Sequence, residues 1–391
     1  MLTLKNAHIL TMTGKNFDNG TVIIDNGKII DISGEKTIAD RDQTIDLHGK
    51  WLMPGMVDAH SHIGMWEDGL NFEGADGNEM TDPATPQLRA IDGINPLDRC
   101  FEEAYQHGVT TVVTGPGSAN VIGGTFVALK TKGRRIEDMV IKDPVALKVA
   151  FGENPKTVYA EQKKTPMTRM ATAAILREAL MKAQEYDRKI KYAGEDLSKM
   201  PDFNLKYEVL CKVLHHEIPL KAHAHRADDI LTAMRIAKEF DVDITLDHCT
   251  EGYMIADILK NENMKVIIGP LLCDRSKPEL KNLSIEAPRI LEEAGVKFAL
   301  MTDHPVTTEP YLIVAAAICA SEGLSDIAAL QSITINAAQI TGIDQRVGSI
   351  EVGKDADIAV FSGYPLDIRS KCELVLIDGN IVYDAKNIAN V

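Results

Sequence analysis

Residues 51–64 read WLMPGMVDAHSHIG, and this stretch decides how the rest of the chain is organised. Pro54-Gly55 is a turn signal, and the short apolar run that follows it reads as a buried strand. Side chains alternate faces along a strand, so His60 and His62 project from the same side, about 7 Å apart along the backbone. That separation suits two imidazoles closing on one metal ion. The plainer reading is a pair of histidines that pack or hydrogen-bond, and the stretch by itself does not separate the two.

Outward from this strand, the middle of the chain alternates strand and helix. An irregular segment, residues 64–95, is rich in Gly, Asp, Asn and Pro. Loops of that length in a compact domain are usually functional or mobile. Residues 96–107 then place Leu97, Phe101, Ala104 and Tyr105 on one helical face, which Gly108 ends. VTTVVTG, VIGGTFVAL and VALKVAFG supply strands two to four, and residues 168–188 read as a long helix. PLKAHAH, DITLDHC, KVIIGP and KFALMTD supply strands five to eight, followed by helices centred near Ala233, Ile258, Leu291 and Ala316. Eight strands, each followed by a loop or helix, predict an α/β fold, a closed (β/α)₈ barrel over residues 51–345. An open doubly wound sheet would bring a glycine-rich phosphate turn after its first strand, and HSHIGMWEDG is not one.

The two ends differ from this middle. TVIIDNGKIIDIS carries Asn26-Gly27 between two β-rich runs, a hairpin signal, and CELVLIDGNIVYD repeats the style with Asp378-Gly379. Neither end alone offers much core. Residues 1–50 and 346–391 are therefore expected to join in one small β-sandwich domain.

The net charge of −15 argues against a nucleic-acid partner and against anionic membrane surfaces. Six cysteines, Cys100, Cys211, Cys249, Cys273, Cys319 and Cys372, form no CxxC pair, which fits reduced thiols. MLTLKNAHIL has no signal-peptide pattern, and the longest apolar run, residues 312–320, is too short to span a bilayer. The expected setting is cytoplasmic, with a small-molecule substrate and assembly as a homo-oligomer.

A barrel gathers its catalytic groups at the C-terminal ends of its strands. By that rule strand one delivers His60 and His62, strand four Gly152-Glu153-Asn154, strand five His223 and His225, strand six His248 and strand eight Asp303. Each is a nitrogen or carboxylate donor at the same mouth, as one or two divalent metals require. Singly, His225 or His248 reads equally as a satisfied core residue and Asp303 as a helix cap.

With its DAHSHIG strand, the isolated later histidines, Thr302-Asp303 and the closing GSIEVGKDADIAVF, the chain resembles the amidohydrolase superfamily over nearly its whole length. Within it the likeness is nearest to the imidazolonepropionase-like members, which include dipeptidases that cleave before proline. The resemblance implies that His60 and His62 bind a first metal, with Asp303 a ligand and general base. It implies that His223 and His248 bind a second, and that His225 meets the substrate carbonyl. Zinc is the expected ion. The bridge between the metals is either a carboxylated lysine, to which Lys148 aligns, or a glutamate, as in bacterial adenine deaminases, to which Glu153 corresponds. Glu153 is expected because it stands nearer the strand end. The implied activity is hydrolysis of an amide-type C–N bond in a dipeptide, cyclic amide or related molecule. Deamination of an aminated heterocycle and a non-catalytic scaffold are the rival readings.

Overall fold

A computed structural model describes residues 1–34, 43–67 and 71–386. The parts of the terminal-domain expectation on residues 35–42 and 387–391, and of the 64–95 segment on residues 68–70, lie outside the described residues. In chain order come five strands, β1 (Leu2–Ile9), β2 (Phe17–Asp25), β3 (Lys28–Ser33), β4 (Gln43–Asp46) and β5 (Trp51–Pro54). Eight more follow: β6 (Met56–Ser61), β7 (Val109–Thr114), β8 (Ile122–Lys130), β9 (Val140–Ala150), β10 (Leu220–Ala224), β11 (Ile244–His248), β12 (Lys265–Ile268) and β13 (Phe298–Leu300). The chain closes with β14 (Ile358–Phe361), β15 (Cys372–Ile377) and β16 (Asn380–Asp384).

The first five and last three strands form one mixed sheet, in the order β16-β15-β14-β5-β1-β2-β3, with β4 beside β1. The two chain ends meet where β14 pairs antiparallel with β5. Leu4, Ile9, Val22, Ile24, Leu52, Ile358, Val360 and Leu376 share its buried core. Each such side chain contributes about 1.5–3 kcal/mol on burial, and neither end holds enough of them alone. Because Trp51–Pro54 pairs in this sheet, the dividing line expected after residue 50 falls at Gly55. A side chain at Gly55 is excluded, since its Cβ would stand 2.1 Å from Thr110 Oγ1.

The second sheet runs β6 to β13 in sequence order. It is brought round to closure past the strand ends, where the Asp303 amide donates to His60 O (3.1 Å) and the His62 amide to His304 O (3.1 Å). One strand departs from the expected repeat: β8 lies antiparallel to both β7 and β9. The reason is length. Only residues 115–121, GPGSANV, separate β7 from β8, whereas a parallel return needs a crossover of about a dozen residues. The chain therefore reverses at the mouth. Residues 71–95 pack over that reversal, with the Gly117 amide donating to Gly77 O (2.8 Å) and Asn120 Nδ2 to Asp82 O (2.8 Å).

The expected helices appear as Arg99–Gln106, Arg169–Ala193, Ala227–Phe240, Ala256–Asn261, Ala287–Glu293 and Leu312–Ser321. Asp98 and Thr168 cap the first two by accepting the amides of Cys100 and Ala171. At the foot of the barrel, Lys130 at the end of β8 reaches Asp355 Oδ2 (2.9 Å) and Asp357 Oδ2 (2.6 Å) of the terminal domain. Removing one partner of such a buried pair costs about 3–5 kcal/mol.

Candidate active site

Alternation along the strands aims Asp58, His60 and His62 of the β6 stretch, Lys148 of β9, and Lys221, His223 and His225 of the β10 stretch into the barrel. Two donor clusters result. His60, His62 and Asp303 form one, and His223, His225 and His248 the other, with the donor atoms of each all within 4.8 Å of one another. Asp303 Oδ1 lies 3.1 Å from His62 Nε2 and 3.4 Å from His60 Nε2. The His223 and His248 ring centres are 4.3 Å apart, those of His225 and His248 4.5 Å. The Phe126 ring lies below, 5.3 Å from that of His60.

Backbone strain delivers two of these groups. His248 (φ 67°) and Asp303 (φ 54°) both hold left-handed conformations, which cost a non-glycine residue about 1–3 kcal/mol. Regular alternation would send His248 and its neighbour Asp247 to opposite faces. The left-handed turn instead lets Asp247 point inward from the strand while His248 reaches the mouth. Asp303 is placed through Thr302, whose amide and hydroxyl both donate to Asp58 Oδ2, at 3.0 and 2.5 Å.

Most of the imidazoles have one nitrogen occupied by a neighbour outside the clusters. His62 Nδ1 is 2.6 Å from Gly115 O and His248 Nδ1 2.9 Å from Gly269 O, contacts that only an N–H can satisfy. His60 Nδ1 lies 2.5 Å from Asp247 Oδ2, and His225 Nδ1 2.7 Å from Thr250 Oγ1. The Nε2 lone pairs of His60, His62 and His248 are thereby left for the interior. Buried His223 Nδ1 has no hydrogen-bond partner. Burial, then the fields of neighbouring imidazoles, hold His225 and His248 well below the usual histidine range. Burial and then the Lys148 ammonium bring His60 down to about 4. Burial would raise Asp303, but His248, His60 and His62 outweigh it and hold the carboxyl well below its usual range. Imidazole nitrogens and a carboxylate oxygen converging within 4.8 Å of one another are a donor set that fits a divalent metal.

On the fourth barrel strand the two candidate bridging residues lie differently. Glu153 is the first residue of the helix Glu153–Glu161, belongs to neither donor cluster and does not line the cavity. Its amide, not its carboxylate, is tied inward, donating to Glu279 Oε2 at 3.0 Å. Gly152 (φ 81°) precedes the helix and stands at its N-cap, so Glu153 belongs to the helix that follows β9 and not to the strand. Lys148 is the residue that arrives: it is fully buried, with Nζ 3.3 Å from His60 Nε2. Burial lowers its amine to about 8, although Asp247 and Asp303 pull the other way. His225, expected to stand free of the metal ligands, lies inside the second cluster.

Sequence reasoning passed over Asp247, Lys221 and Glu279. Lys221 Nζ bonds Asp247 Oδ2 (3.0 Å) and Ala59 O (2.9 Å), so it braces the carboxylate that holds His60. Asp247 and Lys221 carried an available signal, since charged residues inside a barrel strand are seldom buried without partners. Both clusters open on one cavity of about 520 Å³, lined also by Trp66, Asn78, Asn154, Cys273, Lys277 and Val306.

The amidohydrolase family model matches residues 51–391, and the chain belongs to that family. The crystal structure of an amidohydrolase from Thermotoga maritima MSB8 is similar over 98% of this chain and 100% of that one, with 44% identity and a TM-score of 0.95. Amidohydrolase tasK of Hapsidospora irregularis is 30% identical over 93% of this chain and 40% of its own length. An adenine deaminase of Listeria monocytogenes serotype 4b (strain F2365) is 25% identical over 98% of this chain and 57% of its own. The chain thus spans about half the length of the curated relatives it matches. Among the described residues, no helix is long and apolar enough to cross a membrane.

Proposed function

We propose that this chain hydrolyses an amide-type C–N bond in a small molecule, a dipeptide, cyclic amide or related compound. The observation that carries the reading is the convergence of two histidine-rich donor clusters, one containing Asp303, on a single cavity. His60, His62 and Asp303 would hold one divalent ion, His223 and His248 a second, and a carboxylated Lys148, whose amine lies 3.3 Å from His60 Nε2, would join them. A nitrogen-and-oxygen donor set of this kind suits zinc. Such an ion supplies Lewis acidity, polarising a carbonyl oxygen and acidifying a water.

The chain's own groups then move the proton and orient the substrate. The Asp303 carboxylate, kept anionic by its imidazole neighbours, accepts the proton of the attacking water. It returns that proton to the departing nitrogen, without which an amine is a poor leaving group. Thr250 can donate to His225 Nδ1, which puts the ring proton on Nε2 for the substrate carbonyl.

Deamination of an aminated heterocycle is the second reading, favoured by the likeness to the Listeria adenine deaminase. A non-catalytic scaffold would have no use for so complete a donor set. We further propose a cytoplasmic, self-associating enzyme; its six cysteines are all unpaired. The test is elemental analysis combined with a panel of dipeptides, N-acyl amino acids, cyclic amides and adenine. Metal in the protein with amide cleavage supports the reading. Ammonia release from adenine alone would move it to the deaminase, and a metal-free protein that added zinc does not activate would end it.

A further inference from the structure

Of the five imidazoles in the two clusters, His223 is placed in its own way. His62, His248, His60 and His225 each set Nδ1 against an oxygen outside the cluster. His223 has its Nδ1 buried without a hydrogen-bond partner, and it is Nε2 that faces outward, toward Glu279 and Asn154. Nδ1 is a metal donor only when the ring proton sits on Nε2, and that proton then needs an acceptor. Asn154 presents its amide nitrogen at 3.4 Å, because Lys277 Nζ fixes its oxygen at 2.8 Å. Asn154 therefore offers a donor. The acceptor on that side of the ring is Glu279 Oε1, 3.7 Å away.

Glu279 is built for such a task. It lies in the short helix Pro278–Leu280 after β12 and is 1% exposed. Its other oxygen is occupied by the Glu153 amide at 3.0 Å, and Lys277 Nζ lies 2.8 Å from Oε1. The same Oε1 is 3.6 Å from His225 Nε2, so it stands close to both histidines of the β10 stretch without hydrogen-bonding to either. A carboxylate with one oxygen held by a backbone amide and the other beside the Lys277 ammonium has little freedom to turn away.

We propose that Glu279 is the positioning residue of the second metal cluster: by accepting the Nε2 proton of His223 it fixes that ring's tautomer and presents Nδ1 to the ion. This rests on the metal reading of the cluster given above. Outer partners of this kind typically change metal affinity by about 10–100-fold when removed. A purely structural Glu279, holding the Glu153 amide and Lys277, would affect melting without affecting metal affinity.

The experiment titrates metal-stripped wild type, Glu279→Ala and Glu279→Gln with zinc against a competing chelator, and records each melting temperature. Wild type should take up zinc, Glu279→Ala should bind about 10–100-fold more weakly at one site, and Glu279→Gln, whose amide oxygen still accepts, should recover most of the loss. Equal affinity of Glu279→Ala and wild type, whatever the melting temperatures, overturns the proposal. Failure of wild type to bind zinc removes the metal reading itself, a separate result. A crystal structure of zinc-loaded wild type decides the matter even if the variants do not fold. Zinc on His223 Nδ1, with Nε2 hydrogen-bonded to Glu279, supports the assignment; zinc on Nε2 overturns it.

Discussion

Asp247 Oδ2 stands 2.5 Å from His60 Nδ1, and neither side chain reaches solvent. The carboxylate keeps the ring proton on Nδ1 and leaves Nε2 free toward Asp303 and Lys148. An asparagine there can turn its NH₂ toward Nδ1 and favour the other tautomer. Asp247→Asn is expected to weaken zinc binding at the His60–His62–Asp303 cluster by about 10–100-fold. Chelator-competition titration checks this, and unchanged affinity would show that the pair is structural only.

Lys148 and Glu153 give opposite outcomes. Lys148→Met removes the amine that lies 3.3 Å from His60 Nε2, and it should cost bound metal and most turnover. Glu153→Gln, on a helix start outside the cavity lining, should leave both near wild type. Metal analysis of the two variants, with intact-mass measurement of wild type for a carboxylated lysine, decides between them. Loss of metal in Glu153→Gln alone would restore the glutamate bridge.

Asp303→Asn preserves the shape and one oxygen but removes the proton acceptor. Turnover should fall at least about 10²-fold while the fold and most of the metal remain. Were Asp303 only a helix cap, the variant would lose about 1 kcal/mol of stability and turn over almost normally. Measuring kcat, metal content and Tm on this one protein separates the cases.

Acid should destabilise the metal-stripped protein. His60, held at about 4 against an ordinary value of 6.5, contributes stability that is complete above 6.5 and is lost as pH falls toward 4. His223, His225 and His248 are lowered in the same direction, burial being the first cause of each. Asp58, raised by burial to about 6, and Glu309, Asp229 and Asp357, also raised by burial, act oppositely, since the folded state takes up their protons first. The unfolded histidines take up protons from about 6.5 downward, above the ordinary carboxyl range, so Tm should drop between about pH 7 and about pH 5. A Tm that rises across that window would contradict this balance.

Deleting residues 351–391 should give insoluble protein. It removes β14 from the edge of β5 and strips the cover from Leu52 and Ile24. Soluble, folded material would mean that the amino-terminal strands hold a domain of their own.

Periodicity in the sequence determined the barrel's strands, the pairing of the two ends, and the five histidines and Asp303 as a common set. These are local readings: i, i+2 spacing fixes which face His60, His62, His223 and His225 share. The reversal of β8 was equally legible, since seven residues cannot carry a parallel crossover.

Only the tertiary structure decided which group of the β9 stretch stands beside the histidines. Position along a strand does not tell where a side chain ends up once the chain turns: after Gly152 Glu153 opens a helix and does not line the cavity, while Lys148, further back, is buried beside His60. The same limit applies to His248 and Asp303, whose left-handed backbones are sustained by packing from other strands rather than by their own neighbours in sequence. Asp247 faces a histidine 187 positions away, Glu279 two histidines 54 and 56 positions away, and Lys221 braces Asp247 from 26 positions away. Such partners are set by barrel closure, and no local pattern encodes them.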